Sequence, residues 1–105
     1  MKVYSGNQLP TYQVSGRELR IHWDAKEVPM FSMDGEPITQ WEQNEALCLA
    51  SDSYGVLVGK IIRSVYSVDA EFATINNKDT KSDEYAAYQA FRQTAKDLAK
   101  AWSNK

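Results

Sequence analysis

The chain is poor in the residues that form disulfides, metal sites and membrane spans. Its one cysteine, Cys48, excludes an internal disulfide and favours a reducing compartment. Its one histidine, His22, needs partners from distant parts of the sequence to build a catalytic or metal site. The longest apolar stretch, residues 56–65, is interrupted by glycine and charged side chains and is too short to cross a bilayer.

The charge balance and the start of the chain argue against two further roles. Twelve basic and fourteen acidic residues give a net charge of −2, whereas proteins that bind nucleic acids usually carry a basic patch. Residues 1–9 lack the apolar stretch of a signal peptide. We therefore expect a cytoplasmic protein that binds no membrane and for which nucleic acid is disfavoured as a partner.

What the chain does contain is enough apolar residues for a core. A length of 105 residues with 43% hydrophobic residues is typical of one globular domain, and we expect a single domain over residues 1–105. The first 38 residues differ from the rest because they hold all three prolines and three of the five glycines, which disfavours helix there.

Strands are predicted within these first 38 residues. The clearest lies at residues 19–23, where apolar and polar side chains alternate. Shorter strands are predicted at residues 2–4, 12–14 and 28–33. Asp34-Gly35 is a turn signal, and Pro29 predicts an edge position for its strand. The result is a small antiparallel sheet or meander of three to four strands, which needs a helix across one face to be stable.

The middle of the chain predicts a long helix. Thr39 and Glu42 have the spacing of a capping box, and apolar side chains then recur at helical spacing as far as Val65. We prefer one helix over residues 40–65. The alternative is a helix ending at Ser53 and a strand over residues 56–65, because glycine and β-branched residues weaken a helix.

The last third predicts two further helices. Ser67 is the expected cap of a short helix that ends near Asn76-Asn77, and Thr80 or Ser82 is the expected cap of the last helix. The last helix carries an apolar seam at 3-4-3-4 spacing, formed by Tyr88, Phe91, Ala95, Leu98 and Trp102.

These elements predict an α+β fold with a β-rich part, residues 1–38, followed by a helical part, residues 39–105. The helical part has two or three helices, and its long middle helix packs antiparallel to the C-terminal helix. In that packing Leu57, Ile61 and Val65 face Tyr88, Phe91 and Leu98.

No grouping of side chains predicts chemistry. His22 shares the polar face of its strand with Asp24 and is expected to face solvent. Cys48 is expected to be a small, partly buried side chain of the middle helix. The acidic residues of the last third have no calcium-loop spacing and are expected to cap helices. We therefore expect no enzyme, and no catalytic, cofactor-binding or metal-binding residues.

Residues 57–102 combine helix caps, aromatic seam positions and pairs of opposite charges. The pattern is carried by Ile62-Arg63, residues 66–71, Ala73, Ile75, residues 76–79, Glu84-Tyr85, Tyr88, Phe91-Arg92 and Ala95-Lys96. In these residues the chain resembles small bacteriophage and prophage proteins that have a helical C-terminal tail. The resemblance implies a phage or prophage origin, and it implies no activity.

The favoured function is that of a protein-interaction or structural module. The seam must pack on this chain, on a second copy or on another protein, and aromatic side chains are enriched at interface hot spots. We expect a protein partner or self-association, with a homodimer as one form, in the host bacterial cell or in the virion. The candidate interaction surface consists of Tyr85, Tyr88, Phe91, Arg92, Leu98 and Trp102.

The alternative function is that of a nucleic-acid-binding accessory protein with a basic helical face. Mixtures of basic and aromatic side chains bind single strands. The basic residues concerned are Lys60, Arg63, Lys78, Lys81, Arg92, Lys96 and Lys100. The charges lie off the seam, as in an ordinary amphipathic helix, so the interaction module is preferred.

Overall fold

The predicted α+β fold class is confirmed, because an antiparallel four-stranded sheet precedes three helices within residues 1–104. The computed structural model describes these residues, and Lys105, at the end of the predicted helical part, lies outside them. The elements are β1 (Lys2–Ser5), β2 (Tyr12–Ser15), β3 (Glu18–Phe31), β4 (Pro37–Leu49), α1 (Tyr54–Arg63), α2 (Val68–Asn76) and α3 (Ser82–Ser103). The chain folds into two compact units: the first unit is Met1–Ala50, and the second unit begins at Ser51.

The long β3–β4 hairpin is the centre of the first unit, in a sheet of order β1-β4-β3-β2. The two outer strands are short: β2 pairs with residues 18–21 of β3, and β1 pairs with residues 41–44 of β4. Residues 28–40, here called the hairpin end, therefore have no flanking strand. The predicted edge position is wrong for the strand as a whole, because β3 lies between β4 and β2, but it describes the part around Pro29, which pairs with β4 only.

A β-bulge lies at the base of the hairpin end. Trp23 pairs with Asn44 and Lys26 pairs with Glu42, so one extra residue is accommodated on β3 between them. Asp24, inside the bulge, has a φ of +54°, a left-handed conformation that Asp tolerates better than most residues. The bulge shifts the alternation of β3 by one residue. As a result, the even-numbered Val28 and Met30 share a face with the odd-numbered residues of the predicted strand at 19–23.

That shared face holds the core of the first unit. The buried side chains are Leu19, Ile21, Trp23, Ala46 and Cys48. They alternate with residues of the opposite face, as the pattern at residues 19–23 predicts. The turn predicted at Asp34-Gly35 is also confirmed, and Gly35 adopts the positive φ of +80° that the turn requires.

The predicted middle helix is wrong before Ser53. Residues 37–49 are strand β4, so Thr39 caps no helix, and the β-rich part continues to Leu49 instead of ending at residue 38. Pairing with β3 explains why residues 37–49 form a strand instead of the predicted helix. The 14-residue β3 pairs with β4 along most of its length, and this pairing overrides the local helical pattern.

From Tyr54 to Arg63 the preferred helix is confirmed, and the alternative strand over residues 56–65 is wrong. Helix α1 packs against α3, with Ile61 fully buried. Val65, predicted to face the C-terminal helix, lies beyond the end of α1 and is half exposed. The chain turns there, since the Tyr66 amide closes the last turn onto the Ile62 carbonyl at 2.8 Å.

The remaining helices follow their predictions except at one cap. Ser67 caps α2 as predicted, its Oγ accepting from the Ala70 amide at 3.1 Å. The N-cap of α3 is Lys81, without a side-chain bond, so neither Thr80 nor Ser82 is the cap. Across residues 1–104, no helix combines the length and apolar character that a bilayer crossing requires.

We expect Ile61→Ala to lower the free energy of unfolding by about 2–5 kcal/mol, because it leaves a cavity in the place of a fully buried side chain. Val65→Ala removes a half-exposed side chain and should change the free energy of unfolding by less than about 0.5 kcal/mol. Urea unfolding of both variants checks this expectation. Equal losses would contradict the position given to Val65.

Candidate functional site

His22 is buried, so the prediction that it faces solvent is wrong. It does lie on the face of β3 opposite Ile21, but residues 9–11, here called the strap, cover it. Its Nδ1 is 2.8 Å from the carbonyl oxygen of Pro10, and its backbone amide donates to the Thr11 carbonyl at 2.8 Å. The strap therefore satisfies both the ring and the backbone of the histidine.

Gln43 attaches the strap to β4. Its Oε1 accepts from the Leu9 amide at 2.7 Å, and its Nε2 donates to the Leu9 carbonyl at 3.1 Å. The side-chain amide thus makes the two hydrogen bonds with Leu9 that the N–H and C=O groups of a neighbouring strand would otherwise make. A buried amide of this kind is stable only when its donor and acceptor are both used.

Glu45 is the partner of His22. The two residues are opposite each other in the β3–β4 register, and His22 Nε2 lies 2.9 Å from Glu45 Oε2. Because a carbonyl can only accept, the contact with Pro10 places a proton on Nδ1, and Nε2 faces the carboxylate of Glu45. Arg20 Nη1 approaches the same carboxylate oxygen at 3.9 Å.

This cluster is suited to holding the strap and unsuited to catalysis. The His22 side chain has no exposed surface, and both ring nitrogens are occupied by the protein. Cys48, predicted to lie partly buried in a helix, is instead buried in strand β4 opposite Leu19, on the face of the sheet away from His22. Among residues 1–104, no three His, Cys, Asp or Glu side chains are grouped so that they could hold a metal.

A second polar cluster joins the helices of the second unit. Tyr88, buried in α3, donates its hydroxyl hydrogen to Glu71 of α2, and Arg63 at the end of α1 bonds to the same carboxylate at 2.8 Å. The Tyr88 hydroxyl, followed by Arg63, holds the pKa of Glu71 below its usual range. Burial, followed by the hydrogen bond to Glu71, raises the pKa of Tyr88 to about 12.

The six residues of the predicted interaction surface differ in burial. Tyr88 has 1% of its surface exposed and belongs to the polar cluster, with the Tyr66 ring packed edge-on at 5.1 Å. Arg92 lies over the Tyr88 ring at 5.9 Å. The half-buried members are Tyr85, Phe91, Arg92, Leu98 and Trp102. Whether they contact a partner stays a prediction.

The large exposed apolar side chains are found elsewhere. At the hairpin end Phe31 is 75% exposed and Met33 fully exposed, with Met30 and Ile38 more than 40% exposed. Because Met30 pairs with Ile38 and Phe31 pairs with Pro37, both faces of the hairpin end are apolar. The sequence prediction missed this surface, although the four side chains flank a predicted turn.

Helix α2 presents a second apolar surface. None of its residues is buried, and Glu71 anchors it through polar contacts. Val68, Phe72 and Ile75 follow helical spacing on one stripe, here called the α2 face, and each is more than a third exposed. An amphipathic helix with its apolar stripe in solvent is typical of a binding surface.

The sheet also has an open depression of about 250 Å³, lined by Gln13, Ser15, Glu18 and Arg20. All four side chains are exposed, and Arg20 already pairs with Glu18 at 3.6 Å. Small-molecule sites are usually enclosed and largely apolar. This depression is therefore a weaker candidate than the two apolar surfaces.

Comparison with known proteins adds no relative: no family of proteins, no curated protein and no solved structure matches the chain.

We expect Glu45→Ala to lower the free energy of unfolding by about 1–3 kcal/mol, because it leaves Nε2 of buried His22 without its hydrogen-bond partner. Glu45→Gln should cost less, since its amide can donate to Nε2 of a neutral imidazole. Glu18→Ala, at an exposed position, is the matched control and should change stability by less than about 0.5 kcal/mol. Denaturant unfolding measures the stability of all three variants. Equal losses of stability for Glu45→Ala and Glu18→Ala would argue against a stabilising contact between Glu45 and His22.

Tyr88→Phe should raise the pKa of Glu71 toward its usual value of 4.5, because it removes the strongest donor to that carboxylate. Since the folded-state pKa is lowered, ionised Glu71 stabilises the fold above about pH 4.5, and this contribution is lost as the pH falls. The variant should therefore lose less stability in acid. Carbon-13 NMR titration of the carboxyl group measures the pKa. Tyr85→Phe is the control, because Tyr85 bonds to Gln89 instead; equal shifts in both variants would refute the assignment.

Proposed function

We propose that the chain is a non-enzymatic protein-interaction or structural module and that the hairpin end is its docking surface. The observation that carries this proposal is the exposure of Met30, Phe31, Met33 and Ile38 together at one end of the sheet. Single exposed apolar side chains are ordinary, whereas a contiguous group is typical of a surface that binds another protein.

The backbone of the hairpin end supports the same function. Beyond the pairing with β1 and β2, both edges of the hairpin are open over residues 28–40. Open strand edges can add a further strand from a partner. Pro29 and Pro37 interrupt the donors on these edges, so we assign the affinity mainly to side chains.

The charge of this region restricts the partner. No Lys or Arg occurs from residue 27 to residue 59, and the turn carries Asp34 and Glu36. An acidic rim around apolar side chains favours a basic protein surface and disfavours nucleic acids and anionic membranes.

The alternative nucleic-acid function has less support from the geometry. Lys60 pairs with Asp52 at 2.6 Å, and Arg63 pairs with Glu71. Arg92 lies over the Tyr88 ring. Three of the seven basic side chains of the proposed helical face are thus engaged within the protein, which leaves a weaker phosphate-binding surface.

The origin and location belong to the same proposal. The resemblance over residues 57–102 supports a phage or prophage protein, which acts in the cytoplasm of the host cell or within the virion. A module of this kind needs no catalytic group, and its specificity lies in the side chains of the docking surface.

Capture from a bacterial lysate tests the proposed function. The double variant Phe31→Ser/Met33→Ser should lose the proteins that the immobilised wild-type chain retains, by at least about tenfold, because its apolar contacts are removed. Val14→Ser/Leu47→Ser, at two other half-exposed positions of the sheet, is the matched control and should retain them. Identical capture by all three chains would contradict the role of the hairpin end.

A further inference from the structure

We propose that α2 is a releasable lid, held closed by the carboxylate of Glu71, whose opening brings the buried Tyr88 of α3 to solvent. The inference concerns the second unit and does not depend on the docking function of the hairpin end. Two observations carry it: none of the residues of α2 is buried, and Glu71 contacts both of the other helices.

Apolar burial contributes little to the attachment of α2. Of its nine residues, seven are exposed and two are half-buried. The half-buried residues are Glu71 and Thr74, and the Thr74 hydroxyl donates to the Ala70 carbonyl within α2 itself, at 2.9 Å. Because burial of apolar surface is the main force that packs one helix against another, α2 must be held by other contacts.

Glu71 supplies these contacts. Its carboxylate accepts from the Tyr88 hydroxyl of α3 and, at 2.8 Å, from Arg63 Nη2 at the end of α1. Within residues 1–104, no other side chain of α2 forms a hydrogen bond or ion pair with α1 or α3. Hydrogen bonds to an ionised group are stronger than neutral ones, so a single carboxylate can hold a short helix in place.

Tyr88 lies beneath the segment that contains α2. Its hydroxyl bonds to Glu71, and the ring of Tyr66, between α1 and α2, packs edge-on against its ring at 5.1 Å. With the lid closed, only 1% of Tyr88 is exposed. Movement of α2 away from α3 breaks the bond and brings the hydroxyl end of the ring to solvent. The closed form therefore hides one member of the predicted interaction surface, and the open form presents it.

Local unfolding is the expected route of opening. A helix of nine residues is marginal in water by itself, so α2 should unfold once it leaves α1 and α3. Helices α1 and α3 pack against each other and have fully buried side chains of their own, among them Ile61 and Ala95, so they should stay folded. The open form is thus a state in which one element is unfolded and the rest of its unit is native.

Native-state amide hydrogen exchange, followed by NMR in low concentrations of urea, tests whether α2 opens by itself. The α2 amides should exchange together and be protected at least about tenfold less than the slowest amides of α3, because opening the lid requires less free energy than unfolding the unit. Protection of α2 equal to that of the slowest α3 amides would overturn the inference, since α2 would then unfold only with the whole unit.

Glu71→Ala tests whether the carboxylate holds the lid closed. It should speed exchange of the α2 amides at least about tenfold, because hydrogen bonds to an ionised group are lost although alanine itself favours helix. Asp69→Ala is the matched control, because Asp69 is exposed and lies in the same first turn; it should change exchange less than about threefold. Equal acceleration by both variants would contradict the role of Glu71.

Hydroxyl-radical labelling, read by mass spectrometry, tests whether opening uncovers Tyr88. Labelling of Tyr88 should rise at least about twofold in Glu71→Ala and stay unchanged in Asp69→Ala, because only the first variant opens the lid more often. Faster exchange of the α2 amides without a rise in the labelling of Tyr88 would overturn the inference, since α2 would then not be its cover.

A milder variant keeps the test decisive if Glu71→Ala does not fold, which circular dichroism shows. Tyr88→Phe removes only the hydroxyl that bonds to Glu71 and keeps the ring, so it should speed exchange of the α2 amides about threefold or more. Tyr85→Phe is its control, since Tyr85 bonds to Gln89 within α3. Equal α2 exchange in the two tyrosine variants would also refute the lid.

Discussion

The difference in length between the central hairpin and its neighbours is the constraint from which the candidate surface follows. β3 and β4 have 14 and 13 residues, whereas β1 and β2 have four each. Four-residue strands can cover only the base of the hairpin, so the hairpin end has two open edges. The bulge at Asp24 then places Val28 and Met30 on the face that holds the core, and the apolar face continues beyond the flanking strands. A two-stranded extension is only marginally stable by itself, so a partner that covers it also stabilises it.

Polar contacts, more than apolar burial, attach the outer segments of both units. In the first unit the strap is attached by His22 and Gln43, with Glu45 completing the hydrogen bonds of the histidine. In the second unit α2 buries no residue and is attached through Glu71. Hydrogen bonds of this kind hold each segment in one position, because moving the segment would leave a buried polar group without its partner, at a cost in free energy. They also leave apolar side chains of the attached segments free for other contacts.

Local patterns predicted the elements whose signals are local. The alternation at residues 19–23, the cap at Ser67 and the turn at Asp34-Gly35 each depend on a few neighbouring residues, and each is confirmed. Strand β4 was missed because its strand character comes from pairing with β3, a contact that helical spacing from residue 47 onward conceals. The buried position of His22 was missed for a similar reason, since Pro10 and Glu45 reach it from 12 and 23 residues away. The hairpin end could have been found from four apolar residues around a turn within a stretch without Lys or Arg.

Amide hydrogen exchange of the chain alone, and of the chain with the proteins it captures from a bacterial lysate, tests the central claim that the hairpin end is a docking surface. The account predicts that exchange in residues 28–40 slows when the captured proteins are bound, while exchange in β2 stays constant, because only the first segment becomes covered. Exchange that is unchanged in residues 28–40 would contradict the account.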